Sequence, residues 1–137
     1  RGDVIFQTCT PYNAAIIAAA NHDCSAFYQE ELPVREALSL PPYGHVLVLR
    51  FIGEKPEQLV AYAESLTQKL QPYLSPETQV TEPSPCPIER IKGKYRYMVM
   101  FRGGNLSWLK KILRYELFRN PVRGVTVQVD VDPVSLM

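Results

Sequence analysis

The sequence predicts an α+β protein whose main domain has the ferredoxin-like order β-α-β-β-α-β, preceded by a strand and two helices. Three observations support this fold class. Along residues 45–131, runs with the two-residue period of strands alternate with two runs that have the helical period. The order of these runs fits two interleaved βαβ crossovers in one antiparallel sheet, with both helices on one face. The stiff segment LPPYG, residues 40–44, separates this domain from what precedes it.

The first 40 residues predict a strand followed by two helices. GDVIFQT begins with strand-like alternation, and Pro11 ends it before an alanine-rich helix from about Tyr12 to Asn21. A second helical run, CSAFYQEELPVREALSL, contains Pro33, so we expect a break or kink there. Asp23 is a candidate N-cap of that helix. The predicted divisions of the chain are residues 1–10, 11–40 and 41–137.

The main domain contains six predicted elements. In order they are the strand HVLVLRFI, the helix KPEQLVAYAESLTQKL, a short strand near Gln79 to Glu82, the strand GKYRYMVMF, a helix from Ser107 to Phe118 and the strand VTVQVDV. The proline-rich stretch PSPCPI is predicted to lie between the second and third strands. The leucines of each helix repeat every three or four residues, which predicts one apolar stripe facing the sheet. In the last strand, the four valines are predicted to face the helices.

The run GKYRYMVMF decides which face of the sheet is covered. Successive side chains of a strand point to opposite faces. One set is Lys94, Arg96, Met98 and Met100, and the other is Tyr95, Tyr97, Val99 and Phe101. Burying an unpaired charge is strongly disfavoured, so the tyrosine set is predicted to face the helices. This assignment argues against an RNA-recognition motif, in which exposed sheet aromatics stack on bases.

Positive charge is concentrated in one segment of the chain. Between Glu89 and Arg123 ten basic and two acidic residues give a net charge of +8, although the whole chain carries only +1. Such segregation predicts an anionic partner. The alternative is a solvated helix face beside a lysine-guarded sheet edge. The candidate contacts to nucleic-acid phosphates are Arg90, Lys92, Lys110, Lys111 and Arg114.

The sequence offers no site for catalysis. It contains no GxxxxGK[ST], GxGxxG, HExxH or GxSxG motif. His45 is predicted to face inward in the first strand of the domain. Asp130 and Asp132 share an outward face, which fits either a divalent-cation site or an ordinary polar strand surface. We therefore assign no catalytic residue.

The cysteines and the apolar runs indicate the compartment. Cys9, Cys24 and Cys86 are odd in number and widely spaced, which favours free thiols in a reducing, cytoplasmic setting over a zinc site or a disulfide framework. The longest apolar run, AAIIAAA, is too short to cross a bilayer, and we expect no membrane partner. The chain starts at Arg1 without an initiator methionine, so we expect it to be part of a longer protein.

Three stretches, HDCSAFYQEELPVREALSLPPYG, PSPCPIERIKGKYRYMVMF and DVDPVSLM, carry a family resemblance. In this order they resemble the C-terminal part of the bacterial primosomal replication-restart helicases, the PriA or primosomal protein N′ family. The resemblance covers essentially the whole chain. It implies that residues 1–10 end the second helicase lobe and that residues 11–40 form a helical connector. Residues 41–137 would then form a C-terminal domain with a fold similar to ribosomal protein S10.

The resemblance also implies a function. The chain would be an accessory module that binds single-stranded or forked DNA, contacts the tail of single-stranded DNA-binding protein, and works with other primosome proteins. The basic-aromatic strand of the family contributes to the tail site, and its positions match Lys94, Arg96 and Met98 here. Family members often carry a polar residue where this chain has Met98. ATP, magnesium and structural zinc would belong to the rest of the parent protein, so we expect this fragment to need no cofactor and to hydrolyse no ATP.

Two other functions are compatible with the residues. An S10-like RNA-binding or structural domain would show a similar basic patch, because phosphate contacts do not distinguish DNA from RNA. A small enzyme of the acylphosphatase kind would need an anion-cradling loop, for which Gly103-Gly104-Asn105 is the only suggestive stretch. That stretch fits a turn and a helix start better.

Overall fold

The computed structural model describes residues 2–134; Arg1 and the last three residues of the DVDPVSLM motif lie outside the described residues. The chain forms two compact units that divide between Leu38 and Ser39. The described part contains four α-helices and five strands, which confirms the α+β class. No helix in this part is long and apolar enough to cross a membrane.

The first unit contains helices α1 (Ala14–Ala20) and α2 (Cys24–Ala37). The Asn13 side chain accepts a hydrogen bond from the backbone N–H two residues further on, at 2.9 Å. The carboxylate of Asp23 accepts one from the Ala26 N–H, also at 2.9 Å, which confirms the predicted N-cap. Each cap satisfies a backbone donor that has no partner within its helix.

Two predictions for the first unit are wrong. Residues 2–13 form no strand, and Val4 and Ile5 are 82% and 90% exposed. A strand needs a neighbour for its backbone groups, and the first unit contains no second strand. At Pro33 we expected a break or a kink, and a break does not occur, because α2 continues through it to Ala37. A proline removes one backbone donor, and the rest of the helix keeps its own hydrogen bonds.

The second unit contains the sheet and the other two helices. In chain order its elements are β1 (His45–Gly53), α3 (Pro56–Leu70), β2 (Gln79–Val80), β3 (Ser84–Ile91), β4 (Lys94–Gly103), α4 (Ser107–Arg119) and β5 (Val125–Val131). The strands run in the order β2-β4-β1-β5, with β3 also paired to β4, and every pairing is antiparallel. The sequence did not predict β3, because three prolines precede or interrupt it. The short strand predicted at residues 79–82 forms over two residues as β2.

The core lies between the sheet and helices α3 and α4. Its buried members are Leu47, Leu49, Phe51, Leu59, Ala63, Leu66, Leu70, Val99, Phe101, Leu106, Leu109 and Leu113. Tyr95 and Tyr97 pack against this cluster, which confirms that the tyrosine set of β4 faces the helices. Tyr62 of α3 contacts Phe51 edge-on, with ring centroids 5.7 Å apart. The helical stripes predicted from leucine spacing are therefore the ones that are buried.

Two predictions at the ends of the sheet need correction. His45 does not face the core but is exposed, with Nδ1 2.9 Å from the Asp132 carboxylate. His45 is the first residue of β1, paired with Gly103 at the last residue of β4, so its exposure is that of a strand end. In β5, Val129 is 43% exposed, whereas the other three valines pack against the core.

Two glycines fix the turns around the sheet. A Cβ on Gly44 would lie 2.3 Å from the Ser39 carbonyl oxygen, so only glycine fits where the linker meets β1. Lys92 and Gly93 have φ values of 50° and 80° and form the two-residue turn between β3 and β4. Positive φ at both positions is typical of the type I′ hairpin turn, whose twist matches that of paired strands.

Phe101 and Phe118 form a matched pair for testing the core. Phe101 is fully buried, whereas Phe118 is 88% exposed at the end of α4. We expect Phe101→Ala to lower the free energy of unfolding by about 3–5 kcal/mol, because it leaves a cavity. Phe118→Ala should change it by less than about 0.5 kcal/mol. Urea unfolding followed by circular dichroism measures both, and equal losses would contradict the described core.

Candidate functional site

The sheet face opposite the helices, called here the outer sheet face, carries a row of basic and methionine side chains. The row on β4 is Arg96, Met98, Met100 and Arg102, which is named the basic–methionine row. Its partners on β1 are, in the same order, Ile52, Arg50, Val48 and Val46. Arg96 and Met98 are half-buried, and Lys94 at the start of the strand is exposed. The three residues predicted to contact a partner tail therefore share one face, as expected from strand alternation.

A buried arginine lies at the centre of the outer sheet face. Arg50 is only 6% exposed, and its Nη1 donates a hydrogen bond to Asp130 Oδ2 at 2.9 Å. A buried guanidinium needs a carboxylate partner, and β5 supplies one from the neighbouring strand. The pair fixes the register of β5 on β1 and brings a third guanidinium next to the row.

Asp130 and Asp132, for which the sequence left a cation site open, each have a side-chain partner on β1. Asp130 is engaged by Arg50, as described. The oxygens of Asp132 accept from the Val46 N–H at 2.8 Å and contact His45 at 2.9 Å. Among residues 2–134, no three His, Cys, Asp or Glu side chains cluster as metal ligands. The two carboxylates hold β5 to β1 in this structure.

An irregularity in β3 brings Cys86 next to the arginines. The register between β3 and β4 shifts between Pro85 and Arg90, so several β3 residues lie opposite a single β4 position. Arg96 Nη1 donates to the Ile88 carbonyl across this bulge at 3.4 Å. Burial raises the pKa of the Cys86 thiol, and the nearby charges of Arg96 and Arg50 only partly oppose it. The thiol is therefore protonated at neutral pH and packs as a small apolar group rather than as a nucleophile.

The five residues predicted to contact phosphates fall into two groups. Arg90 and Lys92 lie at the β3–β4 hairpin, where the Arg90 guanidinium lies 5.0 Å from the centre of the Tyr95 ring. Lys110, Lys111 and Arg114 are exposed on α4, which begins beyond the other end of β4. The ten residues of β4 span about 30 Å. The two groups therefore belong to different elements, the β3–β4 hairpin and α4.

Two further candidates for the outer sheet face were missed by sequence reasoning. Arg102 shares the parity of Arg96, so alternation along β4 was sufficient to find it. Its Nε is buried and has no hydrogen-bond partner among the described residues. Arg50 belongs to a different strand, and only the pairing of β1 with β4 places it opposite Met98. No signal in the local sequence shows that juxtaposition.

Comparison with known proteins identifies the family. Residues 36–134 match the family described as the primosomal protein N C-terminal domain. The chain belongs to this family. The match covers the whole second unit up to the last described residue, including β4 and α4. It confirms the resemblance that the sequence motifs carried.

Full-length relatives give the same assignment. The chain is 34% identical to the replication restart protein PriA of Treponema pallidum over 141 residues, 100% of this chain and 21% of that protein. It is 32% identical to the protein of the same name from Synechocystis sp. over 136 residues, 98% of this chain and 16% of the relative. The Bacillus subtilis PriA is 31% identical over 99% of this chain and 17% of its own length. The chain thus spans about a fifth or less of the replication restart proteins it matches.

The Asp132 pairing predicts a stability change with pH. Burial acts to raise the pKa of this carboxyl, but hydrogen bonds from the Val46 N–H and His45 outweigh it. The positive charge of Lys110 lowers the pKa further, and the net result lies below the usual 3.8. A carboxylate with a lowered pKa contributes stability above its unfolded-state value, and this stability is lost as the pH falls through the folded-state value.

We therefore expect Asp132→Asn to be less stable than the parent chain at pH 6, with the difference shrinking below pH 3.8. Denaturant unfolding at a series of pH values measures this. Asp3→Asn, in the segment before α1, serves as the control and should leave the profile unchanged. A difference between Asp132→Asn and the parent chain that persists at the lowest pH would show that shape, not charge, holds this contact.

Proposed function

We propose that this chain is the non-catalytic C-terminal module of a replication-restart DNA helicase. It binds single-stranded or branched DNA and the tail of single-stranded DNA-binding protein, and so supports primosome assembly at stalled forks in the cytoplasm. The observation that carries the proposal is the basic–methionine row on the outer sheet face of a domain that belongs to the primosomal protein N family. ATP, magnesium and structural zinc would be bound by the remainder of the parent protein.

We also propose the ferredoxin-like, S10-like arrangement for the second unit. Both β2 and β3 pair with the same strand, β4, and can be regarded as two halves of one interrupted strand. The sheet then reads as last, first, third and second strand, with α3 and α4 on one side. That order is typical of two interleaved βαβ units.

The basic–methionine row supports the tail-binding half of the proposal. An acidic peptide that ends in an apolar residue and a carboxylate needs both cations and an apolar contact. Arg96 can form a bidentate, charge-assisted pair with a carboxylate, and Lys94 adds an exposed charge beside it. Met98 is flexible and polarizable, which suits contact with an apolar peptide end. The buried Arg50 lies opposite Met98 on the neighbouring strand, where the Asp130 carboxylate balances its charge.

The charged segment supports the DNA-binding half. Lys110, Lys111 and Arg114 are exposed, and no ion pair involves them among the residues that the structure describes. Exposed surface cations on one helix are suited to sequence-independent contacts with phosphates. The hairpin residues Arg90 and Lys92 form a second, separate cation pair. An RNA-binding role would use the same contacts, so RNA belongs among the ligands tested.

A titration with a labelled peptide of the tail sequence tests the first site. We expect Lys94→Ala/Arg96→Ala to weaken binding severalfold or more, because each hydrogen bond to a charged group contributes roughly 1.5–3 kcal/mol. The control is Lys110→Ala/Lys111→Ala/Arg114→Ala, which removes three cations from the other side of the domain and should retain tail affinity. If the strand variant binds like the parent chain while the helix variant fails, the wrong surface has been chosen.

The salt dependence of DNA binding tests the second site. We expect Lys110→Ala/Lys111→Ala/Arg114→Ala to reduce the slope of log affinity against log salt by about 0.7 for each lost contact on single strands and about 0.9 on duplex DNA. Lys55→Ala/Lys69→Ala, which removes lysines at the two ends of α3, is the matched control. Fluorescence anisotropy at several salt concentrations, with DNA and RNA of one sequence, gives the slopes. An unchanged slope for the α4 variant would contradict the phosphate contacts.

A further inference from the structure

The outward side of α4 carries two exposed aromatic rings among three cations. Leu109 and Leu113 mark the buried side of this helix. The opposite side is called the α4 stripe and consists of Lys111, Arg114, Tyr115, Phe118 and Arg119. These positions are three or four residues apart and therefore lie along one side of the helix. Phe118 is 88% exposed and Tyr115 is 55% exposed, so neither ring is needed for the core.

The side chains within the α4 stripe are arranged for an anionic partner. The Arg119 guanidinium lies 5.0 Å from the centre of the Tyr115 ring and also donates a hydrogen bond to the Tyr115 hydroxyl, which restricts the ring. Glu116, the one carboxylate on this helix, is half-buried and accepts from Asn120 Nδ2 at 3.1 Å. Burial raises the pKa of the Tyr62 phenol in α3, and the nearby negative charge of Glu116 raises it further. The stripe therefore combines three positive charges with no carboxylate.

We infer that the α4 stripe binds single-stranded nucleic acid by stacking unpaired bases on Tyr115 and Phe118. Lys111 and Arg114 would contact the phosphates of the same strand. This inference rests on the proposed DNA binding by α4 and deepens it, because stacking distinguishes unpaired bases from a duplex. Neither aromatic ring is needed for the core, and neither takes part in the proposed phosphate contacts.

Spacing and charge favour a single strand as the occupant. Residues three apart on a helix have Cβ atoms about 5–6 Å apart, so two successive flexible nucleotides can each reach one ring. Combining a cationic track with aromatic rings is the common solution for binding single strands without sequence preference. In a duplex the base faces are stacked on each other and not available to a protein ring. A polyanion with accessible planar groups matches both features of the stripe.

The test compares ligands that differ only in their bases. The ligands are a twelve-nucleotide oligothymidylate, an abasic strand of the same length and charge, and a duplex of twelve base pairs. The proteins are the 137-residue chain, the Tyr115→Leu/Phe118→Leu variant and Tyr73→Leu. Tyr73 is a matched control because it is 58% exposed but lies in the short turn after α3, among polar and proline neighbours. Equal urea midpoints for the variants show that the fold is retained.

We expect the parent chain to bind oligothymidylate at least about fivefold more tightly than the abasic strand, since stacking contributes about 1–3 kcal/mol per base. Tyr115→Leu/Phe118→Leu should remove this preference and leave affinity for the abasic strand and the salt slope unchanged. Tyr73→Leu should behave like the parent chain. Equal affinity of the parent chain for the two strands would overturn the stacking site while leaving phosphate binding intact.

Two other outcomes separate this inference from the proposed function. If the parent chain binds none of the ligands, DNA binding by α4 fails and the stacking site fails with it. If the double leucine variant loses affinity equally for oligothymidylate, abasic strand and duplex, the rings support the helix rather than contact bases. Either result would direct attention to a protein partner for the α4 stripe.

Discussion

The fold depends on the two unlike faces of β4. One face offers aromatic and aliphatic side chains, and the other offers cations and methionines. Because an unpaired cation cannot be buried at acceptable cost, only the first face can be covered by helices. Strands β1, β2 and β3 all pair with β4, so its orientation determines which face of the whole sheet packs against the helices. The candidate binding surface on the outer sheet face follows from the same constraint.

Strands β3 and β5 are attached at the two sides of the β1–β4 pair. β3 carries Pro85 and Pro87, which cannot donate ladder hydrogen bonds, and it lies at an edge, where proline is tolerated. Its bulge moves Cys86 into a buried position beside Arg96 and leaves a carbonyl for the arginine to bond. β5 is held on the opposite side by polar contacts as well as by its ladder. The Arg50–Asp130 pair balances the buried guanidinium of the outer sheet face, and Arg96 and Arg102 lie half-buried on the same face.

Sequence reasoning predicted what depends on local periodicity. The buried stripes of α3 and α4, the inward tyrosines of β4 and the Asp23 cap follow from spacing alone. The elements that it missed depend on distant partners. GDVIFQT has the alternation of a strand but pairs with no strand among residues 2–134, whereas β3 pairs with β4 in spite of its prolines. The pair between Arg50 and Asp130 joins residues 80 apart, and no local pattern contains that information.

The candidate surfaces also differ in how far local periodicity predicts them. Lys94, Arg96 and Met98 were found because strand alternation determines their face, and Arg102 follows by the same rule. The phosphate candidates were grouped by their nearness in sequence, and in the structure they lie on two different elements, the β3–β4 hairpin and α4. A charge count shows which segment of the sequence is basic, but not which of its side chains share one surface. The aromatic residues of α4 were not predicted as a site, because helical spacing shows on which side Tyr115 and Phe118 lie but not how much of that side other elements cover.

The positions of the two proposed binding surfaces have a consequence for how partners combine. The basic–methionine row lies on the outer sheet face, whereas the α4 stripe lies beyond the helix layer on the other side of the sheet. A peptide on one surface therefore does not occlude a strand on the other. A helix and a sheet between them place the surfaces farther apart than the Debye length of about 8 Å at physiological salt, so their charges interact weakly. Under the two proposals, an acidic tail and a nucleic-acid strand would therefore occupy the domain together, with little direct competition between the two anions.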